Sequence, residues 1–372
     1  MPLPCLPTPD NKRTERIQLP DVPPPKRPAR LFSRLFTVLL SAVTVSSFGL
    51  RAADMLGKQL IPDGYTYNVT ADDAPFSALS GIGRLLPISR PALDSANGEA
   101  AQQPQTTEEA EIPSNALRIV EHDFSGSGLS NETPYRPNLE KLLNSPLPFD
   151  GITRTSSAEG PTVLILHTHG SEAYTEDGAL SYPKDSGMRS YDINQNVVAV
   201  GTAVTKRLES HGIGVLHLTE MFDAESYYNS YNRSLEAVKS CLDEHPSIKF
   251  IIDLHRDASA DTSRGIAYKP VTEIGGEKYA QLMLVVGTDH LGADHPDWEK
   301  NLSLALKLQK MMSDISPSLV RPINLRGASF NQQYSTGFLL LEAGSCSNTL
   351  DEAKRSGVLF ADCLAELIGN IE

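Results

Sequence analysis

From Pro161 onward, short apolar runs alternate with longer stretches of helical periodicity, and this alternation constrains the fold more than any other feature of the chain. The runs at 163–166, 215–218, 250–254, 281–287 and 338–341 read as strands, and 196–211, 226–245, 301–316 and 349–368 read as helices. Uninterrupted apolar strands are those covered on both faces, so the expected class is α/β, with helices on both sides of one sheet. In open sheets of this kind, chemically active groups gather beyond the carboxyl ends of strands. His169 and Glu172 follow the first run, His255 follows 250–254, and Glu342 follows 338–341.

Two imidazoles and a carboxylate form a usual ligand set of hydrolytic zinc sites, which keep the fourth position for water. Zn²⁺ is therefore the expected cofactor, with His169, Glu172 and His255 as its ligands. The three-residue spacing of His169 and Glu172 lets both converge on one ion from a turn. His167 is a second imidazole in the same run; strand alternation would point it to the same side as His169. The choice between the two as ligand stays open, as does that between Glu172 and Asp192, although Asp192 also reads as a helix cap. Glu342 stands directly behind three leucines, where an acid is costly to bury without a task, and it is the expected general base. In Asp253-Leu254-His255-Arg256-Asp257 a carboxylate can hold the second ring nitrogen of His255. Arg256 and His167 are expected to bind a substrate carboxylate or an oxyanion; the alternative for Arg256 is a structural ion pair with a neighbouring Asp.

The cysteines, Cys5, Cys241, Cys346 and Cys363, make neither a disulfide framework nor a CxxC pattern. Cys346, close behind Glu342, reads as a small buried residue of a turn. Asn348 reads as part of the cap of the last helix. His217, His245, His290 and His295 have no convergent partners in the sequence and read as surface or loop residues.

The chain has 372 residues and a net charge of −13, which excludes a nucleic-acid binder that works by coating phosphates. That charge is unevenly placed: residues 1–34 carry seven Lys or Arg against three acids. This basic, proline-rich start leads into 35–50, sixteen residues without a charge, bounded by Arg34 and Arg51. The pattern reads as a transmembrane anchor with its basic tail in the cytoplasm and the remainder outside, a signal-peptide core being the rival reading. The expected organisation is a cytoplasmic tail at 1–34, an anchor at 35–50, a partly disordered linker at 51–154 and a catalytic domain at 155–372. Within the linker, 76–86 and 139–147 are possible helical or docking elements, and 94–115 has no periodic pattern.

At His167-Thr168-His169-Gly170-Ser171-Glu172-Ala173-Tyr174, at Asp253-Leu254-His255-Arg256-Asp257-Ala258, and at Leu341-Glu342-Ala343-Gly344 with Asn348-Thr349 and Glu352-Ala353, the chain resembles the stage II sporulation protein P family. The resemblance implies an open, twisted mixed sheet like that of zinc amidases and carboxypeptidases. It further implies a membrane-anchored peptidoglycan hydrolase that cuts the N-acetylmuramoyl-L-alanine amide, and also peptide cross-links, during forespore engulfment. Implied partners are peptidoglycan and the stage II sporulation proteins D and M. Other readings of the same residues are a zinc carboxypeptidase-like trimming of stem peptides, and a non-catalytic wall-binding scaffold that recruits another hydrolase.

Overall fold

Burial on both sides organises the central strands. In the computed structural model, residues 112–149 and 160–371 are described. Strands β3 (Val163–Leu166), β6 (Phe250–Asp257) and β12 (Phe338–Ser345) lie side by side and parallel, almost wholly buried. β5 (Val215–His217) extends this set at one edge, parallel to β3. On the other side β10 (Leu282–Gly287) runs antiparallel to β12, followed outward by β11 (Ile323–Arg326) and β2 (Leu129–Asn131). The result is a seven-stranded mixed sheet of order β2-β11-β10-β12-β6-β3-β5.

Alternation decides which side chains meet which helices. Val163, Ile165, Ile252, Leu254, Leu339 and Leu341 pack in one core with α2 (Val197–Ser210), α4 (Trp298–Ile315) and α5 (Leu350–Gly369). Leu164, Leu166, Ile251 and Phe338 face the opposite way, against Val238 of α3 (Ser230–Glu244). Helices thus cover both faces, as expected for an α/β chain, but α3 covers only part of its face. Farther along that face, Met283, Val285 and Leu340 pack with Ala328 and Phe330 from the loop after β11.

A second sheet is absent from the sequence reading. Strand β1 (Ala116–His122) pairs parallel with β8 (Ile266–Ile274), and β4 (Ser181–Pro183), β7 (Ala260–Asp261) and β9 (Glu277–Ala280) complete it. Residues 112–149, expected to be linker, instead supply β1, β2 and the short helix α1 (Leu139–Asn144), whose Leu142 is buried in the main core. The expected element at 139–147 is this helix. The tail at 1–34, the anchor at 35–50 and the element at 76–86 lie outside the described residues. Among the described residues no helix is long and apolar enough to cross a membrane.

The helix boundaries follow local chemistry. Asn196 caps α2 by accepting from Val198 N, and Thr349 with Glu352 forms a capping box at the start of α5. Asn348, expected in that cap, braces it from behind: its Nδ2 donates to Glu352 Oε2 at 2.9 Å, and its Oδ1 accepts from Ser345 N at 2.9 Å. Gly344 makes this turn possible, because its φ of 75° suits glycine and a Cβ would sit 2.6 Å from Asn348 Oδ1.

Candidate metal centre

Strands β6 and β12 both continue past their apolar runs, so His255 and Glu342 lie within strands rather than beyond them. They are direct cross-strand partners in register. Alternation puts Glu342 on the side of Leu340, and His255 on the side of Ile251 and Asp253. This is the face that α3 leaves partly open.

The turn after β3 delivers the other two groups. His169 O accepts from Glu172 N at 3.0 Å, which closes the turn and directs both side chains to one point. His169 Nδ1 lies 3.5 Å from Glu172 Oε1, and His255 Nδ1 lies 3.4 Å from Glu172 Oε2. All three residues are buried, and one ligand atom from each falls within 4.8 Å of the others. His169 Nε2 is buried without a hydrogen-bond partner among the described residues, so this imidazole keeps an uncommitted ring nitrogen. On the far side of His255, Nε2 lies 3.0 Å from Asp253 Oδ1. Asp253 is itself held by Thr168 N at 2.8 Å and Thr168 Oγ1 at 2.6 Å. A carboxylate behind an imidazole in this way orients the ring of a metal ligand.

The local field favours a cation. Burial pushes Glu172 up, but Arg256 and hydrogen bonds from His169 and His255 outweigh it and hold the carboxyl well below its usual range. Burial pushes His255 down, yet Asp253 and Glu172 outweigh that and raise it well above an ordinary imidazole. Two buried anions thus enclose one imidazole. A His₂Glu set with a carboxylate support and a field of this sign fits zinc.

The remaining expected site residues separate. His167 is not part of the cluster and does not line the cavity beside it. The strand ends at Leu166 and the chain turns, so the alternation that would align His167 with His169 does not apply. His167 Nδ1 donates to Leu254 O at 2.9 Å, and its Nε2 therefore accepts from His217 Nε2, also at 2.9 Å. His217, read from the sequence as a loop residue, is the end of β5 and completes this pair. Gly201 of α2 makes room for it, since a Cβ there would lie 2.6 Å from His167 Nε2. Asp192 is exposed and caps its own turn, accepting from Asn194 N at 2.9 Å, so it is no alternative to Glu172.

Arg256 lines the cavity, and its side chain is also tied to the chain around it. Its Nε donates to Ala173 O at 3.1 Å, and its Nη2 donates to Gly187 O at 2.9 Å and Met188 O at 3.0 Å. Its Nη1 lies 3.8 Å from Glu172 Oε1, and its backbone N–H donates to Glu172 Oε2 at 3.1 Å. The ion pair is with Glu172, 84 positions away, and not with a neighbouring Asp. Arg256 positions Glu172. Cys346 is buried beside Tyr182 Oη at 3.0 Å, in the turn role expected of it.

Burial holds the His167 and His217 imidazoles down to about 3 and about 4, His167 also through its neighbour. Both are neutral in the folded chain and take up protons near 6.5 when it unfolds. The unfolded state then binds more protons, so stability is lost as pH falls from the unfolded value toward the folded ones. Thermal midpoints measured between about pH 7 and about pH 5 are expected to drop, with a shallower slope in His217→Asn.

Sequence reasoning missed the group that packs His169. Tyr227 stacks on the His169 ring at 4.4 Å between centroids and 22° between planes. The Arg189 guanidinium covers the Tyr227 ring at 4.7 Å. Arg189 Nη1 is anchored to Asp223 Oδ2 at 2.7 Å and Ser171 Oγ at 2.8 Å. The sequence signal was the aromatic spacing Tyr227-Tyr228…Tyr231 at the start of α3, together with Ser171 inside the first motif. Removing the ring in Tyr227→Ala is expected to weaken metal affinity about tenfold or more, as for other groups that orient ligands; Tyr227→Phe keeps the stack and the affinity. Competition with a chelator of known strength measures both.

His169, Glu172, His255 and Glu342 open together into a cavity of about 740 Å³. The chain is thus a mixed α/β protein with a buried His-Glu-His group able to hold a metal ion at the wall of a large cavity. The family model described as Stage II sporulation protein P (SpoIIP) matches residues 89–365, and the chain belongs to that family. It is 29% identical over 234 residues to the Stage II sporulation protein P of Bacillus subtilis (strain 168), a match covering 59% of this chain and 54% of that protein. The matched region therefore spans about half the length of this relative. Among solved structures, the chain is similar to the N-acetylmuramoyl-L-alanine amidase AmiC2 of Nostoc punctiforme, with a TM-score of 0.33, 14% identity, and coverage of 58% of this chain and 97% of that one. It is also similar to the CwlD amidase from Clostridioides difficile, solved in complex with the GerS lipoprotein, with a TM-score of 0.33, 15% identity, and coverage of 57% and 100%.

Proposed function

We propose that this chain is a zinc-dependent peptidoglycan hydrolase of sporulation, cleaving the amide between N-acetylmuramic acid and L-alanine, and also peptide cross-links, during forespore engulfment. Membership of the sporulation family supports the setting. The observation that carries the chemistry is the register of Glu342 with His255, which sets an acid on the open face beside the His169, Glu172 and His255 group. A zinc ion held by those three residues would supply Lewis acidity toward water and a scissile carbonyl.

The chain's own residues do the rest. Glu342 takes a proton from the attacking water and returns it to the leaving nitrogen. Asp253 holds the His255 ring from behind, Tyr227 holds His169, and Arg256 holds Glu172 in its anionic form. The catalytic domain extends from the second sheet through α5, on an anchor at 35–50 that leaves it outside the cytoplasm, where stage II sporulation proteins D and M are its proposed partners.

The test is digestion of purified peptidoglycan by the full chain, after chelation and with or without restored zinc, followed by mass analysis of soluble fragments. Zinc-dependent release of whole stem peptides is the expected result. Release of single terminal amino acids would replace the amidase by a carboxypeptidase, and absence of release in both conditions would reject the hydrolase.

A further inference from the structure

The cavity does not end at the metal centre. It continues across the sheet face, over Met283 and Val285 of β10, to β11, where Asn324 and Arg326 line it. Lys184, Arg189, Arg256, Arg321 and Arg326 line the cavity against the acids Glu172, Asp257 and Glu342. That basic excess stands in a chain of net charge −13, so it is a local feature of the cavity.

The individual groups at the far end are not equally committed. Arg256 is held by Glu172 and backbone carbonyls, and Arg321 pairs with Asp257 at 2.9 Å while covering the Phe124 ring at 5.2 Å. Arg326 is different: its described contact is Nε to Glu132 Oε2 at 3.3 Å, between side chains 22% and 53% exposed. The outer edge of its guanidinium has no hydrogen bond among the described residues. Next to it on the same strand, Asn324 Oδ1 is buried and accepts no hydrogen bond from a described residue. That oxygen is covered in the free chain, so a ligand N–H would reach it once the Asn324 side chain turns toward the cavity that the residue lines, recovering the cost of leaving it without a donor. One acceptor for an amide N–H and one guanidinium fork for an anion, with an apolar floor leading to them, match a short peptide that carries a carboxylate.

Register gives the span. Val285 is opposite both Leu340 and Asn324, so Asn324 lies two strands across and two residues along from Glu342. With strands ~4.8 Å apart and ~3.4 Å per residue, the separation is ~12 Å. An extended peptide advances ~3.5 Å per residue, which makes this three to four residues, roughly.

We propose that Asn324 and Arg326 form an anionic peptide subsite, which takes a carboxylate of the stem peptide three to four residues, roughly, from the scissile amide. This rests on the peptidoglycan reading of the same cavity and adds how the substrate is recognised. Arg326 binds the carboxylate by paired N–H donors, and Asn324 Oδ1 accepts a backbone N–H of the peptide.

The test is calorimetric binding of stem peptides from purified peptidoglycan to the chelator-treated full chain, using free peptides and peptides with their carboxylates converted to carboxamides. The native chain is expected to bind the free peptides about tenfold or more tightly than the amidated ones, the range for a hydrogen bond to a charged group. In Arg326→Gln this preference disappears while the affinity for amidated peptide stays. Asn324→Leu, which leaves the Arg326–Glu132 pair in place, weakens both peptides alike. Equal affinity for the two forms, no binding of either, or a preference that survives Arg326→Gln overturns the subsite. Cleavage fails or succeeds separately: a chain that discriminates carboxylates yet releases nothing from peptidoglycan keeps the subsite and loses the hydrolase, and the reverse result does the opposite.

Discussion

Replacing Glu342 by Gln is expected to lower release of stem peptides by about 10²- to 10⁴-fold, the contribution of a positioned general base. The substitution keeps size and shape while removing the negative charge and the ability to take a proton. Glu342 is partly exposed, and strand β12 around it is secured by pairing with both β6 and β10. The fold is therefore expected to persist, with a thermal midpoint near that of the native chain. His169, Glu172 and His255 are untouched, so zinc stoichiometry measured by atomic emission is expected to be unchanged. Full activity in Glu342→Gln would remove this residue from the mechanism and leave the proton transfer to another group. A fall in activity accompanied by loss of zinc would mean instead that Glu342 belongs to the ligand set.

The parts of this architecture that were legible in the sequence are those that physics writes in short windows. Strands β3, β6 and β12 are covered on both faces, so they appear as apolar runs that a reader meets directly. Helices α2 and α5 show their apolar periodicity directly, but their caps fall on Asn196 and Thr349 rather than on Asp192 and Asn348, the capping residues expected from the sequence. The second sheet had no such signal. β1 reads ALRIVEH and β8 reads IAYKPVTEI, with burial that changes from residue to residue and a proline within β8. Their pairing joins residues about 150 positions apart, as in Arg118 with Ile266, and no local pattern records that.

The site divides in the same way. His169 and Glu172 are three residues apart in one turn, so their convergence is a local property. The meeting of His255 with Glu342 depends on the register of two strands, which the sequence does not display. His167 shows the cost of extending a rule beyond its element: alternation holds inside β3, and the chain leaves β3 one residue earlier. Arg256 has Asp residues on both sides of its motif, and its charge partner comes instead from the turn after β3.

His255→Ala is expected to abolish both zinc binding and hydrolysis, and to destabilise the chain even before metal is considered. His255 lies between Glu172 Oε2 at 3.4 Å and Asp253 Oδ1 at 3.0 Å, and both carboxylates are buried. Its raised affinity for a proton comes from those two anions. Without the imidazole, two buried negative charges face a cavity the size of the lost ring. Breaking a buried charge pair by removing one partner costs about 3–5 kcal/mol. Glu172 keeps Arg256, and Asp253 keeps Thr168, so the expected loss lies toward the lower end of that range. Denaturant unfolding of metal-free protein measures this cost apart from any effect of zinc. The double variant Asp253→Asn with His255→Ala relieves one of the two stranded charges and is expected to regain part of the lost stability, without regaining zinc. If His255→Ala alone keeps native stability in the metal-free state, the two carboxylates are not held as anions there. If it still binds zinc in stoichiometric amount, the His169, Glu172 and His255 group is not the metal centre.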